Sequence, residues 1–569
     1  MNIQGNGTES HTYDAIVVGS GISGGWAAKE LTEKGLKTLV LERGRDVKHG
    51  EYPTAMMDAW EFEGRGQRSP ENNARQLKQA RTGYTTHPAT AHWFVDDIDN
   101  PYSEDQPFDW MRGYHTGGRS LMWGRHSYRW SDLDFEANAK DGHAIDWPIR
   151  YADIAPWYDY VEKWVGINGT REGLAHLPDG QFQPAMPLNA VEQHVQQRMA
   201  AHFSDRILTN GRIANLTQEL PGRAPCQYRN RCSRGCPFGA YFSSNSSTLP
   251  AAYETGNLTL RPFSIVHELI HDPESGKASG VRIIDAETHE TFDYHAKVIF
   301  LCASTVASTS ILLKSKSDRF PDGFGNDSGE LGHNLMDHHF RVGGSGLIDG
   351  FNDRYYRGRR PGSFYIPRFR NISAATKHAD FVRGYGFQGR GSRQNWTRGI
   401  AELERFGADF KGDLIEPGPW RVGMTAFGEH LPHHHNRLYL NEDQRDKWGQ
   451  PTVTFDCGYG ENEAAMRKDM AAATAEILEA AGARDISTYD APNSNPGLSI
   501  HEMGTARMGR DPKTSVLNAH NQVHAAPNVF VTDGSGMVSS SCVNPSLTYM
   551  ALTARAVDHA VDELNRHNL

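Results

Sequence analysis

His501 and Asn544 are the residues of this 569-residue chain whose types and setting most directly offer chemistry. A neutral imidazole can take a proton near pH 7, since its reference pKa is about 6.5. An amide can donate to an alcohol oxygen and orient it. Both lie in one C-terminal block. It opens with His501-Glu502-Met503-Gly504-Thr505-Ala506-Arg507-Met508-Gly509 and closes on Asn544-Pro545-Ser546 and Thr548. Between them Val529-Phe530-Val531 reads as a buried strand entering the turn Thr532-Asp533-Gly534-Ser535-Gly536. A histidine that is one of 27 usually packs or faces solvent, so the pair gains meaning only from its neighbours.

A matching half of the site lies at the other end of the chain. Tyr13 to Val18 reads as a strand, and Gly19-Ser20-Gly21-Ile22-Ser23-Gly24 follows it. Gly19 permits a tight turn, Gly21 lets backbone approach a pyrophosphate, and Gly24 lets helix and strand pack closely. A helix from Trp26 to Lys34 would end at Gly35, and Thr38-Leu39-Val40-Leu41 would be the next strand, closed by Glu42. An acid about 20 residues after the first glycine is the expected ribose partner. This βαβ unit is expected to bind a dinucleotide, the alternative being a purely structural glycine turn, and the motif alone does not separate NAD from FAD.

Three cysteines form the third chemical feature. Cys226, Cys232 and Cys236 are spaced Cys-x5-Cys-x3-Cys and followed by Pro237. Thiolates suit iron–sulfur clusters or zinc. Three ligands without a fourth nearby fit a 3Fe–4S cluster better than a four-cysteine cube, and Arg229, Arg231 and Arg234 would offset its negative charge. A Cys3His zinc site with a distant histidine, or a disulfide plus a free thiol, are the alternatives. Cys302, Cys457 and Cys542 read as buried singletons.

These features need a large scaffold. The length exceeds the about 100–200 residues of one domain, and 24 Phe, 21 Tyr and 12 Trp supply several cores. A net charge of −10 gives no electrostatic footprint for nucleic acid. No apolar run approaches the about 20 residues that span a bilayer. Met1 to Thr12 lacks the apolar core of a signal peptide, so the expected location is the cytoplasm, or the periplasm by co-export with a partner.

Helices are expected at Asp153–Trp164, Ser304–Lys314, Glu461–Ala481 and Ala551–Asn565, and a buried strand at Val298–Cys302. Residues 340–430 show little periodicity. The fold class is α/β (α+β overall). A discontinuous Rossmann-like cofactor-binding domain is expected over residues 11–50, 221–340 and 500–569. An inserted substrate domain on an antiparallel sheet takes 51–220 and 341–499, with 112–129 against the cofactor.

Taken together, the motifs resemble the glucose–methanol–choline (GMC) family of flavoprotein oxidoreductases over nearly the full length. Gly117-Gly118-Arg119-Ser120-Leu121-Met122-Trp123-Gly124 is similar to the family's second glycine motif. Gly332 to His338, Asn436-Arg437-Leu438 through Gly449-Gln450-Pro451, and the C-terminal block follow in the family's order. The resemblance implies FAD, held by Gly19, Gly21, Ser23, Gly24, Glu42 and Arg43 at one end. Gly117, Gly118, Ser120, Trp123 and Gly124 would lie along the flavin, with Asp533, Gly534, Pro545 and Thr548 completing the site.

The resemblance also implies His501 as base and Asn544 as its partner. Where a sugar-oxidising branch carries flavin covalently on a histidine, Met122 stands here, so the FAD is expected to be non-covalent. The cysteine spacing resembles that of bacterial FAD-dependent glucose and glucoside 3-dehydrogenases with a 3Fe–4S cluster.

The resulting expectation is a sugar dehydrogenase that oxidises the 3-hydroxyl of glucose or glucosides. A small partner subunit and a cytochrome would serve as companions. Rivals are oxidation of glucose at its anomeric carbon or of another alcohol, a non-redox flavoprotein lyase, and an electron-transfer subunit.

Other features carry blander readings. His430-Leu431-Pro432-His433-His434-His435 reads as a loop that helps line the sugar pocket, and His333, His338 and His339 as packing or surface residues. Arg354 to Arg360 reads as a solvated loop, an acceptor-docking face or a lid. Trp110, Tyr114, Trp123, Tyr128 and Trp130 are either sugar-facing or core aromatics.

Overall fold

A computed structural model describes residues 4–5, 11–62, 64, 67–82, 85–354, 360–393, 406–415, 418–491 and 493–569. Tyr355 to Arg359, the centre of the arginine–aromatic run, lie outside the described residues.

A nine-stranded sheet joins the two ends of the chain. Its parallel core runs, in spatial order, Leu258–Arg261, Thr38–Leu41, Thr12–Val18, Thr291–Leu301 and Ala526–Val531. Buried on both faces, these strands read as continuous apolar runs, as Val529-Phe530-Val531 does. The hairpin Ser264–Asp272 and Lys277–Asp285 adds antiparallel strands to the Thr291–Leu301 side. Helix Ile22–Glu33 follows the glycine turn and packs against the terminal helix Ser546–Asn565. Ligands of such sheets bind beyond the carboxyl ends of the strands. There Val18 leads into Gly19, Leu41 into Glu42, Leu301 into Cys302 and Val531 into Thr532 and Asp533.

A six-stranded antiparallel sheet forms the second layer system. Its order is Arg484–Asp490, His339–Ile348, Trp420–Gly428, Tyr385–Arg393, Phe364–Ile366 and Thr209–Asn210. Helices Ala190–His202 and Glu461–Ala480 cover it and share its core of Val191, Val195, Met470 and Ile477. Four of these strands fall in the region that looked aperiodic. Glycines account for the difference. A Cβ at Gly343 would lie 2.1 Å from Met424 O, and one at Gly389 would lie 2.6 Å from Gly423 O and 2.3 Å from the Phe364 ring. Close neighbours demand glycine at these positions, and each glycine erases one step of the alternation. A three-stranded sheet, Arg437–Arg445, Pro451–Asp456 and Ser103–Glu104, completes the frame.

The helices differ from expectation mainly at their ends. The first begins at Ile22, because Gly21 already serves as its N-cap, and the last begins at Ser546, directly after Pro545. The other three span Tyr151–Val165, Thr305–Lys314 and Glu461–Ala480. Among the described residues, no helix is long and apolar enough to cross a membrane.

Candidate active site

Beyond the strand ends lies a cavity of about 710 Å³. Gly19, Ser20, Gly21 and Ser23 form its floor, and Glu42 and Arg43 close one end. Gly21 caps the Ile22–Glu33 helix without a side-chain acceptor, so the free N–H groups of the first turn face an open concavity. A Cβ built on Gly21 meets nothing within 4 Å. This empty margin fits a phosphate group against the backbone. Gly24 has the opposite surroundings: its Cβ would lie 1.9 Å from Gly19 O, so the helix and turn can close only on glycine.

Glu42 is buried, which raises its carboxyl above the usual range. It accepts from Gly44 N at 2.9 Å and from the Ser20 hydroxyl. The Ser20 hydroxyl in turn accepts from Gly117 N at 3.0 Å. One bonded chain thus ties the ribose-type acid, the first glycine turn and the second glycine motif. Arg43 stacks over Tyr114 and Trp448, with ring-centre distances of 4.6 and 5.1 Å, and pairs with Asp446. Lys314 also lines this end, and burial beside Arg43 pushes its ammonium down to about 8. Sequence reasoning gave Lys314 only as the last residue of a helix and assigned it no part in the site.

Gly118, Ser120, Trp123 and Gly124 line the middle and far end, with Asp533 and Gly534 across from them. Burial raises the Asp533 carboxyl, which accepts from Ser308 and Ser535 hydroxyls and from Ser535 N. Gly117, Gly24, Pro545 and Thr548 do not line the cavity. Gly117 is left-handed at φ 86° and sits against Asn245, while Thr548 is buried and bonded to Tyr158 at 2.8 Å. Their contribution is to the scaffold. Of the aromatics, Trp110, Tyr114 and Trp123 line the cavity, whereas Tyr128 and Trp130 are core residues.

At the far end His501 and Asn544 meet. Asn544 Nδ2 lies 3.3 Å from His501 Nε2, and both side chains line the cavity. The residue before the histidine, Ile500, is left-handed at φ 65°, a costly conformation for a β-branched side chain. The backbone is held in it from outside, since His501 N and Ser499 N both donate to the buried Asp337 carboxyl. Burial pushes that carboxyl up to about 7 despite these bonds. Burial also holds the His501 imidazole well below its usual value, and the neighbouring His338, Arg119 and His126 side chains act in the same direction. Arg119 makes a two-oxygen pair with Glu502 at 3.0 and 2.8 Å. His501 is therefore neutral at pH 7 and free to accept a proton.

Sequence reasoning missed the residues that hold this pair. Gln388 donates to Asn544 Oδ1 at 2.8 Å. His338, expected to pack or face solvent, is buried with its Nδ1 2.8 Å from His501 Nδ1. The sequential neighbour of His338 was the one available signal, since Asp337 precedes it in a family-like segment. The His430–His435 loop stays outside the cavity lining.

Cys226, Cys232 and Cys236 are half-buried, free of disulfides, and line one small second cavity. Burial pushes the Cys226 thiol up to about 11, and the other two sulfurs add to the shift. Its Sγ accepts from Tyr228 N at 3.4 Å. Among the described residues, no three His, Cys, Asp or Glu side chains are gathered as a metal-ligand group. Of the neighbouring arginines, Arg229 reaches Ala55 O, Arg231 pairs with Asp58, and Arg234 reaches Met57 O. The loop borders the large cavity as well. Asn230 lines both spaces, Ser233 and Arg234 line the large one, and Trp93 Nε1 donates to Ser233 O.

Comparison with known proteins agrees with the geometry. Residues 13–340 match the N-terminal family model of GMC oxidoreductases, and residues 432–553 match the C-terminal one. The chain is 29% identical to a 2-methyl-1,2-propanediol dehydrogenase of Mycolicibacterium austroafricanum, over 97% of this chain and 96% of that one. It is 26% identical to the fructose dehydrogenase large subunit of Gluconobacter japonicus, over 98% and 99%. The Aspergillus oryzae formate oxidase structure superposes with a TM-score of 0.61 at 14% identity, covering 98% of this chain and 100% of that one, and so shares the fold.

Proposed function

The chain belongs to the GMC oxidoreductases, and on that premise we propose that this FAD-dependent dehydrogenase of CH–OH groups acts on sugars, oxidising the 3-hydroxyl of glucose or glucosides to a ketone. The observation that carries the alcohol chemistry is the His501–Asn544 pair on the wall of a cavity whose other end has an open helix N-terminus. Bound FAD would supply a two-electron hydride acceptor. His501 Nε2 takes the hydroxyl proton, and the Asn544 amide beside it orients the substrate oxygen. Arg125 and His126 line this end and offer polar contacts to a sugar, while Trp123, fixed by its Nε1 bond to Phe242 O, offers an apolar face. The relative that acts on fructose supports a sugar, while the one that acts on a small diol supports a simple alcohol, and both the choice of sugar and the position oxidised rest on the resemblance.

We further propose that the FAD is non-covalent, since Met122 lines the cavity where a histidine link would be needed and its thioether cannot form that link. A 3Fe–4S cluster on Cys226, Cys232 and Cys236 is proposed for electron exit. The supports are their spacing, their common cavity and the wall their loop forms beside the flavin space. A small partner subunit and a cytochrome acceptor, with export to the periplasm in the partner's company, complete the proposal. Its support is that one relative is itself the large subunit of a multi-subunit dehydrogenase.

An anaerobic panel of sugars, scored by flavin bleaching and product NMR, tests the substrate and position. Bleaching by glucosides with a 3-keto product is expected; bleaching only by acyclic alcohols would overturn it. Iron and acid-labile sulfide assays of the wild type and Cys232→Ser test the cluster. Iron absent from the wild type, or unchanged in the variant, would refute it.

A further inference from the structure

His338 does not line the cavity and does not reach the space where a substrate would lie. It is nonetheless almost completely buried between the reacting histidine and two backbone carbonyls. Its Nε2 lies 3.0 Å from Ser540 O and 2.9 Å from Ser541 O. Carbonyl oxygens only accept, so Nε2 carries a proton. Its Nδ1 lies 2.8 Å from His501 Nδ1. Two ring nitrogens at that distance share one proton. Burial pushes the His338 imidazole down to about 4, so near neutral pH it holds a single proton, the one on Nε2. Its Nδ1 is then an acceptor, and the shared proton belongs to His501 Nδ1.

The consequence falls on the far side of the His501 ring. With Nδ1 protonated and the ring neutral, Nε2 carries the lone pair. That nitrogen faces Asn544 Nδ2, a donor, at 3.3 Å. The amide's orientation is set separately, because Gln388 Nε2 donates to Asn544 Oδ1. The chain from the Ser540 and Ser541 carbonyls sets this tautomer, and the Asn544 amide as placed by Gln388 matches it.

We propose that His338 is a positioning residue that holds His501 in the Nδ1–H tautomer, presenting a bare Nε2 to the substrate hydroxyl. The proposal rests on the reading of His501 as the base. It adds the means by which a buried, neutral imidazole is kept in the one of its two forms that can act. Ser541 is left-handed at φ 55°, held by its hydroxyl bond to Asp134, and so turns its carbonyl toward His338. An orienting partner that fixes the tautomer of a catalytic imidazole can be worth up to about 10⁴ in rate.

The test uses the FAD-loaded enzyme with glucose as probe and three variants. His338→Leu removes both bonds. His338→Asn keeps an acceptor at the place of Nδ1. His501→Ala removes the base. Stopped-flow flavin reduction should slow on the order of 100-fold in His338→Leu with apparent substrate affinity unchanged, and His338→Asn should recover most of the rate. Histidine-¹⁵N spectra of the wild type, with the His501 signals identified by their loss in His501→Ala, should show Nδ1 protonated and Nε2 bare at neutral pH. A protonated Nε2 in the wild type overturns the proposal even if His338→Leu fails to fold. Full-rate reduction by a folded His338→Leu overturns it too. If instead His501→Ala reduces flavin normally, it is the base assignment that fails, and the ¹⁵N spectrum still decides the tautomer.

Discussion

Gln388 and Asn544 are joined by one hydrogen bond, 2.8 Å from Gln388 Nε2 to Asn544 Oδ1, across 156 positions of sequence. The bond ties the antiparallel sheet to the C-terminal block, because Gln388 belongs to the strand Tyr385–Arg393. It also leaves Asn544 with its donor turned to His501. Replacing Gln388 with Leu removes a donor and frees the amide to rotate. A net loss of about 1–1.5 kcal/mol in transition-state stabilisation follows, or roughly five- to tenfold in flavin-reduction rate, with FAD content unchanged. Steady-state and stopped-flow kinetics measure it; an unaltered rate would show that Asn544 needs no such support.

The two glycines of the first turn should fail differently. At Gly24 a methyl group would meet Gly19 O at 1.9 Å, so Gly24→Ala should lower stability by about 1–3 kcal/mol or prevent folding. At Gly21 the backbone is at φ −68° and the space is open, so Gly21→Ala should fold normally and bind FAD at least tenfold more weakly. Thermal melts of the flavin-free proteins and FAD titrations separate the two. Equal behaviour would contradict the cradle at the helix N-terminus.

The pH dependence follows from the lowered pKa of His501. His338, His126, Arg119 and Asp337 are the titratable and charged groups around it, and burial is the largest cause of the shift. The ring works neutral, and it loses its lone pair only as pH falls through the lowered value. The rate of flavin reduction should therefore hold constant on the acid side well below pH 6.5, and decline only further down. A half-point at or above 6.5, in a stopped-flow pH series, would be inconsistent with the buried neutral base.

Acid precipitation should release all the flavin into the supernatant, since Met122 offers no nitrogen for a covalent link. Flavin that stays with the precipitated protein would refute this.

Much of the cofactor half was legible because its rules are local. Gly19, Gly21 and Gly24 owe their places to one tight turn, and the strands around them are apolar without interruption. The other half was not. The strands at His339–Ile348 and Tyr385–Arg393 lose their alternation to glycines such as Gly343 and Gly389, which neighbouring backbones require. The partnership of His338 with His501 spans 163 positions and needs Ser540 and Ser541 in a third place. No spacing rule encodes such a contact.

In the proposed reaction His501 and Asn544 handle the proton of an alcohol while flavin bound in the same cavity takes its hydride. Anaerobic stopped-flow mixing of the wild type and His501→Ala with glucose separates that role from mere packing. Flavin bleaching is expected in the wild type, with its loss by a factor of at least about 10² in the variant while FAD stays bound. Near-normal bleaching by His501→Ala would rule out His501 as the base.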